Sequence, residues 1–165
     1  METPPIPLPR THGCFVCGVS NPLGLGLQLQ AGAGRVEARW RFRREHAGFL
    51  DTVHGGLLST VLDELMVWGC GRETRQLCYC AELTVRFVRP AAPGMEVVGT
   101  GWLTENRRGR ILLAAAEIRD AAGEVLASAT GKYVPLKGEL PARMLSDFVD
   151  GRPPWEALPG GAAEP

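Results

Sequence analysis

The sequence predicts an α+β protein in which an antiparallel sheet surrounds one long helix. Residues 54–71 carry apolar side chains at three-to-four spacing, as a helix with one broad buried side does. The segments on either side alternate apolar and polar residues, which is typical of half-buried strands. The connections between those segments are short, so the strands are expected to pair in sequence order around the helix.

Two strands are predicted before the helix. Residues 25–30 and residues 36–42 alternate apolar and polar side chains, and a glycine-containing turn joins them into a hairpin. Residues 43–52 read as a loop that leads into the helix. Residues 1–24 are rich in proline and glycine and predict an N-terminal arm.

Four strands are predicted after the helix, at residues 77–89, 95–104, 111–118 and 125–134. Residues 25–135 therefore form the expected domain, and the chain of 165 residues calls for no second one. Residues 136–165 are expected to be a C-terminal extension with one short helical piece at 142–149 and a partly mobile tail.

Composition limits the classes of partner and compartment. The formal net charge is zero and 22% of the residues are charged, so no electrostatic field favours nucleic acid or an acidic membrane surface. The chain has no apolar stretch of about 18 residues and no signal-peptide pattern at its start. We therefore expect a soluble, cytoplasmic protein with its five cysteines reduced.

The pair Cys14 and Cys17 has the C-x-x-C spacing of metal and redox motifs. No second C-x-x-C or H-x-x-x-H follows to complete four ligands, so no metal and no cofactor is expected. The turn residues Asn21-Pro22 that follow do not suit the helix start of a redox motif.

The predicted helix contains the candidate chemistry. Asp63 lies within its apolar run, where a carboxylate is costly unless it has partners. Gly55 and Gly56 expose backbone N–H groups at the positive end of the helix dipole, behind His54, and this end could bind an oxyanion. A structural interpretation stays open, in which His54-Gly55-Gly56 is a tight turn and Asp63 a hydrogen-bonded core group.

These residues resemble the hotdog-fold acyl-CoA thioesterases of the phenylacetyl-CoA thioesterase (PaaI-like) type. The resemblance rests on His54-Gly55-Gly56 followed by Asp63, and on the strand end Arg86-Phe87-Val88-Arg89-Pro90. The start of the chain, with Cys14-Phe-Val-Cys17-Gly18 and Asn21-Pro22-Leu23-Gly24-Leu25, is similar to the branch that contains long-chain acyl-CoA thioesterases. The resemblance covers about residues 14–135.

The resemblance implies a hotdog fold and a role for each motif residue. Asp63 would act as general base or nucleophile, and the Gly55 N–H would polarise the thioester carbonyl. His54 would fix the turn and contact the carbonyl oxygen. Cys80 occupies the place of a serine or threonine that orients the lytic water, although a thiol is a weak hydrogen-bond partner. The asparagine that many relatives carry before the His-Gly-Gly motif is missing.

The resemblance also implies an acyl-CoA substrate and a homodimer, with a homotetramer left open. Arg89, Arg108 and Arg110 are the predicted contacts for the phosphates of coenzyme A, because the planar guanidinium suits phosphate. The alternative for each arginine is a solvated turn residue.

Two other functions stay open beside thioester hydrolysis. One is a non-catalytic hotdog that binds acyl-CoA, favoured by Cys80 and the missing asparagine and opposed by the presence of Asp63. The other is a dehydratase or hydratase, for which His46 and Asp51 lack the motif. The sequence does not set the acyl chain length or a preference for aromatic acids.

Overall fold

The computed structural model describes residues 4–158, which form nine strands around one long helix. The strands are β1 (Ile6–Pro7), β2 (Leu29–Gly32), β3 (Arg35–Arg41), β4 (Ala47–Phe49), β5 (Thr52–Val53), β6 (Cys78–Phe87), β7 (Glu96–Arg107), β8 (Ile111–Asp120) and β9 (Val125–Pro135). Seven of them make one antiparallel sheet in the order β1-β2-β3-β7-β8-β9-β6, while β4 and β5 pair as a small separate hairpin.

The long helix α1 (Gly55–Thr74) packs against β3 and β6 to β9. Its apolar positions, including Leu58, Val61, Leu62, Leu65 and Met66, are buried against the sheet. The predicted α+β class, an antiparallel sheet on one long helix, is confirmed. The helix continues past the predicted end at residue 71. It ends at Thr74, because its C-cap, Arg75, adopts a left-handed conformation (φ 56°) and donates its N–H to Gly71 O.

The helix approaches the sheet closely at two glycines. A Cβ added to Gly101 on β7 would lie 2.4 Å from the carbonyl oxygen of Leu65, and one on Gly69 would lie 3.0 Å from Cα of Trp102. At both glycines the backbone of one element lies directly against the other element, with no side chain between them. A larger residue at Gly101 would therefore push α1 away from the sheet. The glycines therefore set the height of α1 above β7.

The segments before the helix differ in detail from the prediction. The strand expected from residue 25 begins at Leu29, because Gly26 has a positive φ of 65° and the N–H groups of Leu25 and Leu27 donate to carbonyls of the N-terminal arm. The predicted loop at residues 43–52 contains a 3-10 turn and the β4–β5 hairpin. Both features lead the chain to the start of α1.

The C-terminal segment contains α2 (Leu140–Leu145) and a 3-10 turn (Pro154–Ala157), and it packs beside α1. Phe148 is buried and contacts the Trp68 ring edge-on, with centroids 6.1 Å apart. The predicted domain boundaries stay predictions, and residues 1–3 of the arm and 159–165 of the tail lie outside the described residues. Within residues 4–158, no helix has the length and apolar character that a membrane crossing requires.

Candidate functional site

Asp63 lies half-buried near the middle of α1, where Tyr133 of β9 donates a hydrogen bond from its hydroxyl to Oδ1 across 2.7 Å. The Tyr133 side chain is fully buried and lies over Gly131, where an added Cβ would come within 2.7 Å of the ring. Burial and the Asp63 charge raise the pKa of Tyr133, so the phenol keeps its proton as the donor. The buried tyrosine therefore holds the Asp63 carboxylate in a fixed orientation.

Cys80 on β6 is the third member of this group. A β-bulge between Cys80 and Glu82 shifts the pairing with β9, and the Cys80 thiol donates a hydrogen bond to Glu82 O at 3.4 Å. Asp63 and Tyr133 lie near enough to this thiol to influence its pKa. Burial, and then the Asp63 carboxylate, raises the pKa of Cys80. The Cys80 side chain is therefore a protonated thiol, which is a weak hydrogen-bond donor and can orient a neighbouring group only weakly.

The start of α1 shows how the His-Gly-Gly motif works as a turn. His54 is the N-cap, and its Nδ1 accepts the Gly56 N–H at 2.9 Å. Gly56 is therefore engaged within the turn. Among the described residues, no acceptor takes a hydrogen bond from the Gly55 N–H. Of the two glycines, Gly55 is the one that presents a donor to a ligand.

A cleft of about 310 Å³ opens beside the Gly55 end of the helix. Its lining includes Gly55, Leu58, Phe87 and Arg89, and a Cβ added to Gly55 would lie 3.1 Å from Phe87 Cζ. The Arg89 guanidinium pairs with Glu124 at 2.8 Å, with both side chains about half exposed. An exposed pair of this kind is weak, so Arg89 can exchange Glu124 for another anion.

The predicted site residues fall into separate places within one chain. Asp63 and Cys80 lie with Tyr133, whereas Gly55 lies in the cleft with Arg89. The strand register gives the distance between these two places. Tyr133 lies level with Leu112 of β8, and Phe87 lies level with Ile118 of the same strand. Six residues of strand separate these levels, which is about 20 Å.

Arg108 and Arg110 lie in the β7–β8 hairpin turn and are exposed. This turn is at the Tyr133 end of the sheet, because Arg107 pairs with Ile111 next to the Leu112 level. In one chain the two arginines are therefore not in the cleft that Gly55 and Arg89 share. Their role in binding coenzyme A stays a prediction.

Tyr133 is the site residue that the sequence did not reveal. It lies on a predicted strand where the alternate residues that precede it, Ala127, Ala129 and Gly131, are small and buried. A single phenol on a face of small residues is the signal that could have marked it, since a buried tyrosine hydroxyl needs a polar partner.

A second polar cluster lies on α1 one residue beyond Asp63. Glu64 Oε1 and Oε2 are 3.9 and 4.0 Å from the Sγ of Cys14, and Trp68 Nε1 donates to Oε1 at 3.1 Å. Burial raises the pKa of Glu64 to about 7. The hydrogen bond between the two thiols lowers the pKa of Cys14 and raises that of Cys17. Glu64, Cys14 and Cys17 are the group within residues 4–158 that could hold a metal ion.

Sequence comparison matches part of the chain to a known family model. Residues 50–127 match the family model described as the thioesterase superfamily. The matched segment runs from the turn before α1 to the first part of β9 and so contains Gly55, Asp63 and Cys80. No curated protein sequence matches the chain significantly.

Solved structures share the fold. A thioesterase superfamily protein is 27% identical with a TM-score of 0.68, and the match covers 74% of this chain but 63% of that chain, less than two thirds of its length. The E. coli PaaI protein from the phenylacetic acid degradation operon is 18% identical, with a TM-score of 0.63 and coverage of 69% of this chain and 82% of that chain.

A phenylacetic acid degradation-related protein from Ralstonia eutropha JMP134 is 23% identical, with a TM-score of 0.58 and coverage of 67% of this chain and 85% of that chain. At these identities the last two likenesses concern the fold alone. The fold that the motifs predicted is the fold of this chain.

Proposed function

We propose that this hotdog-fold protein of the thioesterase superfamily hydrolyses an acyl-CoA thioester to the free acid and coenzyme A. The observation that carries the proposal is the half-buried Asp63 in the middle of α1, held by the Tyr133 hydroxyl at 2.7 Å. A carboxylate fixed in this way is suited to general-base or nucleophilic chemistry. The matched family model and a similar solved structure, both thioesterases by description, support the thioester as the substrate class.

In the proposed reaction Asp63 takes a proton from water while the water oxygen adds to the thioester carbonyl carbon. The oxygen of that carbonyl gains negative charge and is stabilised by the Gly55 N–H. Collapse of the tetrahedral intermediate breaks the C–S bond, and the leaving sulfur takes the proton held by Asp63. Coenzyme A is released as the free thiol and the Asp63 carboxylate is restored. In the nucleophilic variant Asp63 attacks the carbonyl carbon itself, the C–S bond breaks and coenzyme A leaves, and water then hydrolyses the acyl–aspartyl anhydride.

Asp63 and Gly55 of one chain are too far apart to share a substrate. They are eight residues apart on α1, which is about 12 Å along the helix axis. The attacking atom must approach within about 3.5 Å of a carbonyl carbon whose oxygen lies about 3 Å from the N–H donor. We therefore propose a dimer in which two antiparallel α1 helices bring Asp63 beside Gly55 of the partner subunit.

The edge of the sheet supports this dimer. β6 is an edge strand, and Tyr79 and Phe87 on it and Val88 directly after it are about half exposed. The inward residues Leu83 and Val85 are only half-buried by α1. An exposed edge with apolar side chains suits pairing with a second copy of the same strand.

The positions along β6 also suggest the register of that pairing. Asp63 lies beside Cys80, and Gly55 lies beside Phe87. An antiparallel pair of β6 strands centred between residues 83 and 84 sets Cys80 opposite Phe87 of the partner subunit. The same two-fold axis then brings Asp63 toward Gly55 of the partner subunit, and the dimer has two equivalent sites.

Arginine side chains are the proposed contacts for the phosphates of coenzyme A. Arg89 lines the Gly55 cleft, so it would bind near the thioester end of the site. Arg108 and Arg110, on the hairpin at the Tyr133 end, would act from the other protomer or from a further copy in a tetramer. The five free cysteines support the cytoplasm as the expected compartment.

The test is a hydrolysis screen over short-chain, long-chain and aromatic acyl-CoAs, with release of the free thiol as the readout. We expect hydrolysis of at least one class, and its acyl group then defines the substrate. The competing function, a non-catalytic acyl-CoA binder, is favoured by the weak hydrogen bonding of the Cys80 thiol. Binding of acyl-CoA by calorimetry without thiol release in any class would replace hydrolysis with that function.

A further inference from the structure

The segment Cys14-Phe-Val-Cys17-Gly18 forms a tight turn around a sulfur atom. The Gly18 N–H donates to Cys14 O at 2.9 Å, and a Cβ added to Gly18 would lie 2.3 Å from that oxygen. The backbone N–H groups of Val16 and Cys17 point at the Cys14 Sγ, at 3.3 and 3.5 Å. N–H groups directed at sulfur favour the thiolate, which is the form that binds metals.

Glu64 brings a third ligand atom to this turn from α1. Cys14 Sγ, Cys17 Sγ and a Glu64 carboxylate oxygen all lie within 4.8 Å of one another. A tetrahedral zinc ion, with Zn–S about 2.3 Å and Zn–O about 2.0 Å, separates two sulfurs by about 3.8 Å and a sulfur from an oxygen by about 3.5 Å. The three atoms are therefore within a small side-chain adjustment of zinc geometry.

We propose that Cys14, Cys17 and Glu64 bind one zinc ion and thereby fasten the N-terminal arm to α1. Two thiolates and one carboxylate are ligand types that zinc accepts, and three protein ligands leave a fourth position open. All three residues line a cavity of about 220 Å³ between α1 and the C-terminal segment, which has room for a water molecule as the fourth ligand. This site is separate from the thioester chemistry and does not depend on it.

The surroundings of the three ligands suit a bound cation with this charge. Trp68 Nε1 donates to Glu64 Oε1 and fixes the orientation of the carboxylate, as outer partners of metal ligands do. Two thiolates and a carboxylate exceed the charge of Zn²⁺ by one. Arg72 lines the same cavity, where it pairs with Glu73. Sequence spacing gave no complete ligand set here because Glu64 lies 50 residues from Cys14.

The experiment uses the full chain, reduced and stripped of metal with a chelator, and Co²⁺ as a spectroscopic probe. We expect thiolate-to-cobalt charge-transfer absorption at one cobalt per chain, and displacement of the cobalt by Zn²⁺. Cys14→Ser and Cys17→Ser should each remove the charge-transfer absorption of the site. Glu64→Gln should weaken cobalt binding by about 10-fold or more. Cys80→Ser is the matched control, because it removes a thiol outside the cluster and should leave the cobalt spectrum unchanged.

A second measurement on the unmodified chain keeps the proposal testable if a variant does not fold. Zinc should slow alkylation of Cys14 and Cys17, read by mass spectrometry, while leaving Cys80 alkylation unchanged. The proposal is overturned if the reduced chain gives no thiolate-to-cobalt absorption. It is equally overturned if zinc does not protect the pair, or if the pair forms a disulfide that takes up no cobalt after reduction.

Discussion

Tyr133 and Asp63 are 70 residues apart in the sequence and 2.7 Å apart in the structure, with the phenol donating to Oδ1. The contact joins the last strand of the sheet to the middle of α1. Because the tyrosine ring is fully buried over Gly131, it cannot turn away from the carboxylate without opening the core. The orientation of Asp63 is therefore set by the sheet as well as by its own helix.

Replacing Asp63 with asparagine is expected to abolish hydrolysis. The change keeps the side-chain volume and removes the basic oxygen, so turnover should fall by about two decades or more while acyl-CoA binding is kept. Turnover is measured by thiol release and folding by circular dichroism. Glu105→Gln, which removes an exposed carboxylate on β7, is the control. Near-normal turnover of Asp63→Asn would exclude Asp63 as the catalytic group.

Tyr133→Phe should lower kcat while leaving KM nearly unchanged, because it removes the donor to Asp63 and keeps the ring. A hydrogen bond to a charged group contributes about 1.5–3 kcal/mol, which sets the expected loss in kcat at about 10-fold or more. The chain has two tyrosines, and Tyr79→Phe on the exposed edge strand is the matched control. Equal rates for Tyr133→Phe and the parent chain would show that the contact with Asp63 is structural.

Cys80→Ser is expected to keep turnover or raise it, since a hydroxyl donates a stronger hydrogen bond than a thiol. The raised pKa of Cys80 also predicts slow alkylation near neutral pH, because the thiolate is the reactive form. The measurements are kcat of the variant and the alkylation rate of Cys80 by mass spectrometry. Loss of turnover in a folded Cys80→Ser protein would require a thiol-dependent mechanism instead.

Mixing two inactive variants tests whether the site is shared between protomers. Asp63→Asn removes the base, and Gly55→Pro removes the N–H at a helix position that tolerates proline. Random reassortment makes half of the dimers mixed, each with one intact site of two, so about a quarter of the parent activity should return. Continued inactivity despite heterodimers seen by native mass spectrometry would contradict the shared site.

Gly55→Ala separates loss of the N–H from crowding in that experiment. It adds the same Cβ, 3.1 Å from Phe87, and retains the donor. The additional loss of turnover in Gly55→Pro relative to Gly55→Ala therefore measures the contribution of the N–H to hydrolysis.

We expect His46 to lower the free energy of unfolding in mild acid. Burial and the Arg43 charge lower its pKa below the ordinary 6.5, and its Nδ1 accepts the Arg43 N–H at 3.0 Å. The unfolded chain then binds the proton more readily than the folded chain, so the His46 contribution is present above about pH 6.5 and lost as the pH falls. Denaturant unfolding of His46→Gln should show a smaller decline with falling pH than the parent chain, with the exposed His12→Gln as control. Equal declines in His46→Gln and the parent would refute this.

The helix and the strands after it were predictable because their periodicities are strong and their turns carry glycine or proline. The His54-Gly55-Gly56 turn and Asp63 were found for the same reason, since each is local. Contacts between distant segments left no local pattern, and these include the Tyr133 phenol on Asp63 and Glu64 on Cys14. The bulge after Cys80 could not be predicted either. One extra residue in a strand changes which face of the sheet the following side chains lie on, but it does not change the composition of the segment.

The contact of Gly101 with the Leu65 carbonyl couples a residue without a side chain to the alignment of the proposed site. Any side chain at position 101 must lift α1, which carries both Asp63 and Gly55, away from β7. A random mutagenesis screen scored only by turnover would therefore recover position 101 among the sensitive sites, although it touches no substrate. The sensitive positions in such a screen would therefore include residues that fix the position of α1 on the sheet as well as residues that take part in the chemistry.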